Sequence, residues 1–379
     1  MYSKPKKIGS LEIKNRFIRF ATFEGMATED GYVTDKHIKL YKKLAEGGVG
    51  LIITGYAYVQ ESGKAFEKQT GVSRDDYIPG LSRIAETVHI NGENCKVALQ
   101  IAHCGHQSRL LENTIAPSAV EEKLTRKMPR EMTREEIQDT VDAFSQAIRR
   151  AKDAGFDAVQ LHGAHGYIIT QFLSPYINKR TDDYGGSIEN RTRFLEEIYN
   201  KSVELVGKEF PILIKMNGVD FVQGGTTIEE STEVAKRLEN IGYAAIEVSA
   251  GIWEVAKLKK KELGWKSTFL PESRIFIGTM NEPAYNLSYA KEFKKELNIP
   301  VILVGGINSL NLVKQILTNE SADFVSFSRP LVREPDLPNR WMKGIGGDNV
   351  DCIFCNGCLS TTVTPGLQCA KLIESNTGN

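Results

Sequence analysis

The chain has 379 residues, 41% hydrophobic and 25% charged, with 48 lysines and arginines balanced by 48 aspartates and glutamates. This composition suits a large globular core, and zero formal net charge argues against a general nucleic-acid binder or a protein held on an anionic membrane surface. No apolar run approaches the ~20 residues of a spanning helix, and the opening MYSKPKKIGSLEIKN lacks the apolar centre of a secretory signal, so a cytoplasmic protein is expected.

Apolar strand-like runs alternate with amphipathic stretches along the chain. Strands are predicted over 17–21, 49–54, 96–103, 157–162, 211–217, 244–250, 300–306 and 322–328. Helical patterns fill the gaps. HIKLYKKLAEGG precedes the second strand and YIPGLSRIAETVHINGE the third. A helix over 133–154 opens on the capping box TREE at Thr133, and others start near Ser187, run over 227–240 and 284–297, and start at Ser309. Eight apolar strands, each followed by a helical segment, predict a (β/α)8 TIM barrel over 1–345 with a short Cys-rich extension over 346–379. A doubly wound open sheet is the alternative, weakened because no G-x-G-x-x-G sits at a strand-to-helix turn.

Active groups of such barrels gather just past the C-terminal ends of the strands. That rule selects Ala21, Thr22 and Phe23 after strand 1, Gly55 and Tyr56 after strand 2, Gln100 and His103 on strand 3, and His162, His165 and Tyr167 after strand 4. Lys215 and Asn217 end strand 5, Gly305 and Gly306 follow strand 7, and Ser328 and Arg329 follow strand 8. The glycine pair offers bare amides and Arg329 a guanidinium, a pattern suited to phosphate. Gln100 can both donate to and accept from a planar heterocycle, and Lys215 supplies a fixed positive charge; the plainer reading pairs Lys215 with a barrel carboxylate such as Glu247. Two imidazoles can donate to a carbonyl or nitro oxygen, and a phenol with a pKa near ~10 can protonate a carbanion at neutral pH.

The run HGAHGYIITQFLSPYINKRTDDYGGSIENRTRF from His162 resembles the signature of the old yellow enzyme family of FMN-dependent ene-reductases. The likeness extends over NRFIRFAT, GVGLIITGYAYV, VALQIAHCGHQS, APSA at 116–119, ILIKMNGVD, ILVGGI and SRPLVREPDLP. The resemblance implies a barrel with non-covalent FMN at its mouth. Ala21, Thr22 and Phe23 would lie along the flavin, Gly55 and Gln100 at its pyrimidine side, and Lys215 where the family usually has Arg. Gly305, Gly306, Ser328 and Arg329 would hold the phosphate. His162 and His165 match the pair that grips the substrate's electron-withdrawing group, Tyr167 matches the proton donor, and the run from Asn178 to Arg191 is expected to be structural. The implied cycle is ping-pong: NAD(P)H reduces FMN and leaves, then an activated alkene such as an α,β-unsaturated carbonyl takes a hydride at its β-carbon and a proton from Tyr167 at its α-carbon. Three positions depart from the pattern: Phe23 stands where many members have Thr or Cys, Lys215 lacks the planar fork of Arg, and His106 replaces an Arg.

The tail carries Cys352, Cys355, Cys358 and Cys369 in the spacing C-x2-C-x2-C-x10-C. Four thiolates so spaced suit a 4Fe–4S cluster, zinc is the rival ligand, and a vestigial thiol group is the third possibility. The family's larger relatives, 2,4-dienoyl-CoA reductase and trimethylamine dehydrogenase, carry a similar cysteine group after the barrel and continue into nucleotide-binding domains. This chain stops 10 residues past Cys369, so a cluster here is expected to serve an external ferredoxin- or flavodoxin-like electron-transfer protein or to be structural. A homo-oligomer is also expected. Two other readings remain open: an iron–sulfur flavoprotein amine dehydrogenase or demethylase, and a non-catalytic barrel that binds a phosphorylated ligand. Tyr56, Trp253 and the weakly patterned 251–283 stretch are expected to shape the pocket.

Overall fold

A computed structural model describes residues 1–265 and 273–377. Eight parallel strands carry the fold: β1 (Phe17–Arg19), β2 (Leu51–Ile53), β3 (Lys96–Ala102), β4 (Ala158–Gly163), β5 (Ile212–Asn217), β6 (Ala245–Ser249), β7 (Val301–Val304) and β8 (Phe324–Ser326). Each pairs with the next, and β8 returns to β1 through Val325↔Phe17, which closes the barrel and rules out the open sheet. The strands are shorter than their apolar runs, since ladder pairing is confined to the barrel's middle. Helices α1 (Asp35–Glu46), α2 (Ile78–Asn91), α3 (Arg134–Asp153), α4 (Ile188–Val206), α5 (Ile228–Ile241), α6 (Leu287–Glu296), α7 (Leu310–Thr318) and α8 (Leu337–Lys343) follow the strands in turn. Among the described residues no helix is long and apolar enough to cross a membrane.

Helix starts fall where the cap chemistry puts them. Thr133 accepts from the Glu136 amide while the Glu136 carboxylate accepts from the Thr133 amide, and Thr227 with Glu230 repeats the device. Ser187 and Ser309 accept from the Asn190 and Leu312 amides.

Strand side chains alternate between faces. Outward residues such as Phe17, Ile52, Val97, Leu99, Val159, Leu161, Ile214 and Val325 pack under the helices in one continuous core. Inward residues Ile18, Leu51, Ile53, Ala98, Ala158, Leu213, Ala245, Ile302 and Phe324 fill the barrel floor, where three alanines make room for larger neighbours. A hairpin that the strand prediction omits, Lys6–Ile8 paired with Leu11–Ile13, drives Ile8 and Ile13 into that floor and plugs the N-terminal end. The tail from Val350 folds back across the opposite end.

Candidate active site

Two residues above the apolar floor on each strand, the inward positions turn polar. Ala98 gives way to Gln100, Ala158 to Gln160, Leu213 to Lys215 and Ala245 to Glu247, all buried. These four form one chain. Gln100 Nε2 donates to Gln160 Oε1 at 2.6 Å, Gln160 Nε2 donates to Glu247 Oε2 at 3.1 Å, and Lys215 Nζ lies 3.1 Å from the same oxygen. The ion pair with Glu247 is thus present, and Lys215 also sits 4.6 Å over the Phe20 ring. Because Gln100 spends its amide nitrogen on Gln160, its carbonyl oxygen remains the acceptor it can offer a ring N–H.

A further step of two reaches the mouth: His162 on β4, Asn217 on β5 and Ser249 on β6. Ala164 donates its amide to His162 Nδ1 at 3.4 Å, so the imidazole carries its proton on Nε2. His165 adopts a left-handed backbone at φ 63, held by its amide's bond to Asn217 Oδ1 at 3.2 Å, and its Nε2 lies 2.7 Å from Ser249 Oγ. The two rings meet edge-on with centroids 5.1 Å apart, and the Tyr167 ring lies 4.6 Å from that of His162. Tyr56 Oη stands 3.0 Å from Tyr167 Oη. Burial depresses both imidazoles well below the ordinary histidine value, and the nearby Lys215 charge pushes the same way. Both are therefore neutral hydrogen-bond donors at pH 7.

Above them an aromatic wall runs through Phe23, Tyr56, Phe66 and Trp253, with Phe23–Phe66 centroids 5.0 Å apart and the Arg109 guanidinium 5.7 Å over Trp253. The walls enclose a cavity of about 800 Å³, within the range of cofactor sites. Ala21, Thr22, Phe23, Gln100, His162, His165, Tyr167, Lys215, Ser328 and Arg329 all border it. Thr22 Oγ1 donates to Ser328 Oγ at 2.6 Å, joining the ends of the first and eighth strands.

Other expected residues fall elsewhere. Gly55 lies behind the wall, its amide donating to Glu24 Oε1 at 3.2 Å within a buried group that includes Arg19 and Tyr41. Gly305 and Gly306 do not border the cavity. Both have positive φ, and a Cβ on either would run into the Tyr285 ring, which covers them. Of the residues expected around a phosphate, Ser328 and Arg329 do border the cavity, together with Ser273. His103 points away from the mouth, its Nδ1 accepting from the Gly105 amide at 3.0 Å, and burial takes it down to about 3. That correction follows from strand alternation, since 98, 100 and 102 face inward and 103 cannot. His106 is buried beside Glu122 and the Val120 backbone. The Asn178–Arg191 run does brace the barrel: Asn178 donates to the Phe172 and Tyr184 carbonyls, and Arg180 to those of Pro117 and Met132.

Several site residues escape the strand-end rule. Gln160 was legible two positions before His162, and Phe20 directly precedes the selected Ala21. Phe66, Arg109 and Tyr285 lie in loops with no local signal, as do Thr362 and Val363 of the tail, which close one side of the cavity with Leu359 of the short helix Gly357–Ser360. Part of the 251–283 stretch does line the cavity through Trp253 and Ser273, while 266–272 lies outside the described residues.

The four tail cysteines are free thiols that border a second cavity of about 240 Å³ together with Arg329 and Arg333. Burial raises Cys352 and takes Cys358 up to about 11. Among the described residues no three His, Cys, Asp or Glu side chains are grouped closely enough to hold a metal ion.

A closed β/α barrel whose mouth combines a buried amide, a buried cation, neutral imidazoles and an arginine suits a flavin-binding oxidoreductase. The profile of the NADH:flavin oxidoreductase / NADH oxidase family matches residues 3–347, and the chain belongs to that family, the old yellow enzyme group. It is 38% identical over 368 residues to an NADH oxidase of Thermoanaerobacter brockii, covering 96% of this chain and 54% of that one. An NADPH dehydrogenase of Geobacillus sp. (strain WCH70) is 35% identical over 347 residues, covering 91% and 95%. A 2-naphthoyl-CoA reductase complex superposes with a TM-score of 0.85 at 28% identity, over 94% of this chain and 54% of that one. The chain thus spans about half the length of some of the relatives it matches and nearly all of others.

Bound FMN fits the residues present. Gln100 offers an oriented acceptor, Lys215 a cation for a reduced, anionic ring, and the cavity has room for a tricyclic cofactor. The matching family is described as NADH:flavin oxidoreductases and NADH oxidases.

Proposed function

We propose that the chain reduces the C=C bond of an α,β-unsaturated carbonyl or a related activated alkene. FMN supplies hydride transfer from NAD(P)H to the β-carbon when bound. His162 and His165, kept neutral, donate hydrogen bonds to the substrate oxygen and stabilise the enolate charge that develops there. Tyr167 delivers the proton to the α-carbon, and Tyr56, 3.0 Å away, can share the charge left on its oxygen. The aromatic wall excludes water and stacks a planar substrate. The observation that carries this reading is the meeting of two neutral imidazoles and a phenol at one side of a cavity fitted for flavin.

An amine dehydrogenase is the second reading, favoured by the same aromatic wall and by the histamine dehydrogenase fold, which matches at 26% identity with a TM-score of 0.77. Arg109 against Trp253 and Phe66 disfavours it, because a cationic substrate would meet a second cation there. Mixing the anaerobically reduced protein with 2-cyclohexenone decides the matter. Return of the oxidised flavin band supports alkene reduction. No return with the enone, together with bleaching of the oxidised protein by an amine, establishes the second reading.

The four tail thiols are proposed as ligands of a 4Fe–4S cluster, with zinc as the competing occupant, and the electron donor as NAD(P)H or a ferredoxin- or flavodoxin-like protein. Convergence on one cavity supports the ligand set, and iron and zinc contents of anaerobically purified protein decide its occupant.

A further inference from the structure

Arg329, Val332 and Cys358 border both cavities, so the cofactor site and the cysteine site share a wall. Asn356 ties that wall together. It lies between Cys355 and Cys358, and its backbone is left-handed at φ 62. Its Oδ1 accepts from Arg329 Nη1 at 2.7 Å and from Ser273 Oγ at 3.0 Å, and its Nδ2 reaches the Ser273 carbonyl at 3.4 Å. Arg329 and Ser273 border the phosphate end of the cofactor cavity, so one tail side chain holds two of its walls.

The arginine is fixed through one nitrogen and one face. Nη1 also donates to the Arg274 carbonyl at 2.7 Å, and the guanidinium lies 4.8 Å from the Phe354 ring centre. A guanidinium carries five donor hydrogens. With Nη1 committed to Asn356 and Arg274, the hydrogens of Nε and Nη2 remain for an anion. An unheld arginine loses rotamer freedom when it grips a ligand. Here that loss is already met by folding of the tail.

Resting on the FMN reading, we infer that Asn356 is a positioning residue for the flavin phosphate and couples the cysteine loop to cofactor retention. Anything that orders the loop, including an occupant of the cysteine site, then tightens FMN, and FMN tightens that occupant by the same factor.

The test separates phosphate from ring. Asn356→Gly accommodates the left-handed backbone and removes the side-chain amide with its bonds to Arg329 and Ser273. Dissociation constants for FMN and for riboflavin, which has the ring but no phosphate, are measured by flavin fluorescence on protein freed of flavin, before and after the substitution. A hydrogen bond to a charged group sets the scale, so FMN is expected to weaken about tenfold while riboflavin is unchanged. Unchanged riboflavin binding also shows that the pocket is still folded. Equal weakening of both flavins, or of neither, overturns the inference. An unsubstituted chain that binds neither flavin overturns the cofactor reading and takes the inference with it.

Discussion

The end of β4 and the cysteine tail border the same cavity but are held by different means. Every site residue of β4 is fixed by the barrel: His162 by the Ala164 amide, His165 by Asn217 and Ser249, and Tyr167 among the rings of His162, Tyr56 and Trp253. The tail is tethered by scattered bonds, such as Leu367 N–H to the Glu24 carbonyl at 2.9 Å and Lys68 Nζ to the Val363 carbonyl at 3.3 Å. It also leaves Ile353 and Val363 in solvent, at 54% and 74% exposure. Chemistry is placed on the rigid element, while cavity shape is delegated to the soft one. Damage to the first should therefore appear in rates, and damage to the second in affinity and stability.

The largest effect tests the rigid side. Tyr167→Phe is expected to slow alkene reduction by about 10²–10⁴-fold while leaving reduction of the flavin by NAD(P)H intact, as stopped-flow traces of the two half-reactions will show. An equal loss in both half-reactions would mean that Tyr167 holds the flavin rather than the substrate.

Acid stability comes next. His106 sits at about 4 in the fold against about 6.5 unfolded, because burial disfavours its cation. Below pH ~6.5 the unfolded chain takes up a proton that the folded chain refuses, so stability falls as pH drops toward 4. Urea melts of His106→Phe should therefore show a smaller loss of stability between pH 7 and pH 5 than the wild type. Identical losses refute the assignment.

Gly25 tests the soft side. It sits at φ 60 with the Thr362 carbonyl where a Cβ would go. Gly25→Ala is expected to cost about 1–2 kcal/mol and to push the tail off the cavity, raising the KM for the alkene with little change in kcat. A fallen kcat at constant KM would place the tail in the chemistry after all. The smallest effect belongs to Lys68→Ala, which removes one exposed bond to the tail and should lower stability by under ~1 kcal/mol in thermal melts.

The fold was legible because local signals agree with it. Thr133, Ser187 and Ser309 cap where capping chemistry demands, and the apolar runs become barrel strands. The N-terminal hairpin was missed although KKI-GS-LEI is a two-residue turn between short strands. At the site, residues on strands were readable and residues reached through long-range packing were not. Stepping by two from Ala98 and Ala158 gives Gln100, Gln160 and His162, and would have excluded His103. No pattern around Gly305 announces that Tyr285, 20 residues earlier, lies over it. The cysteine spacing marks a ligand set, but nothing in it says that Asn356 reaches Arg329 or that Leu359 and Val363 wall the cofactor cavity.

The central claim is that neutral His162 and His165 donate hydrogen bonds to the substrate's oxygen. The infrared carbonyl stretch of an enone bound to the oxidised holoprotein reports that donation directly. Its frequency should lie below that of the same enone in an apolar solvent and should move back toward that value in His162→Ala. A bound frequency equal to the apolar reference, or one that His162→Ala leaves unmoved, contradicts the claim.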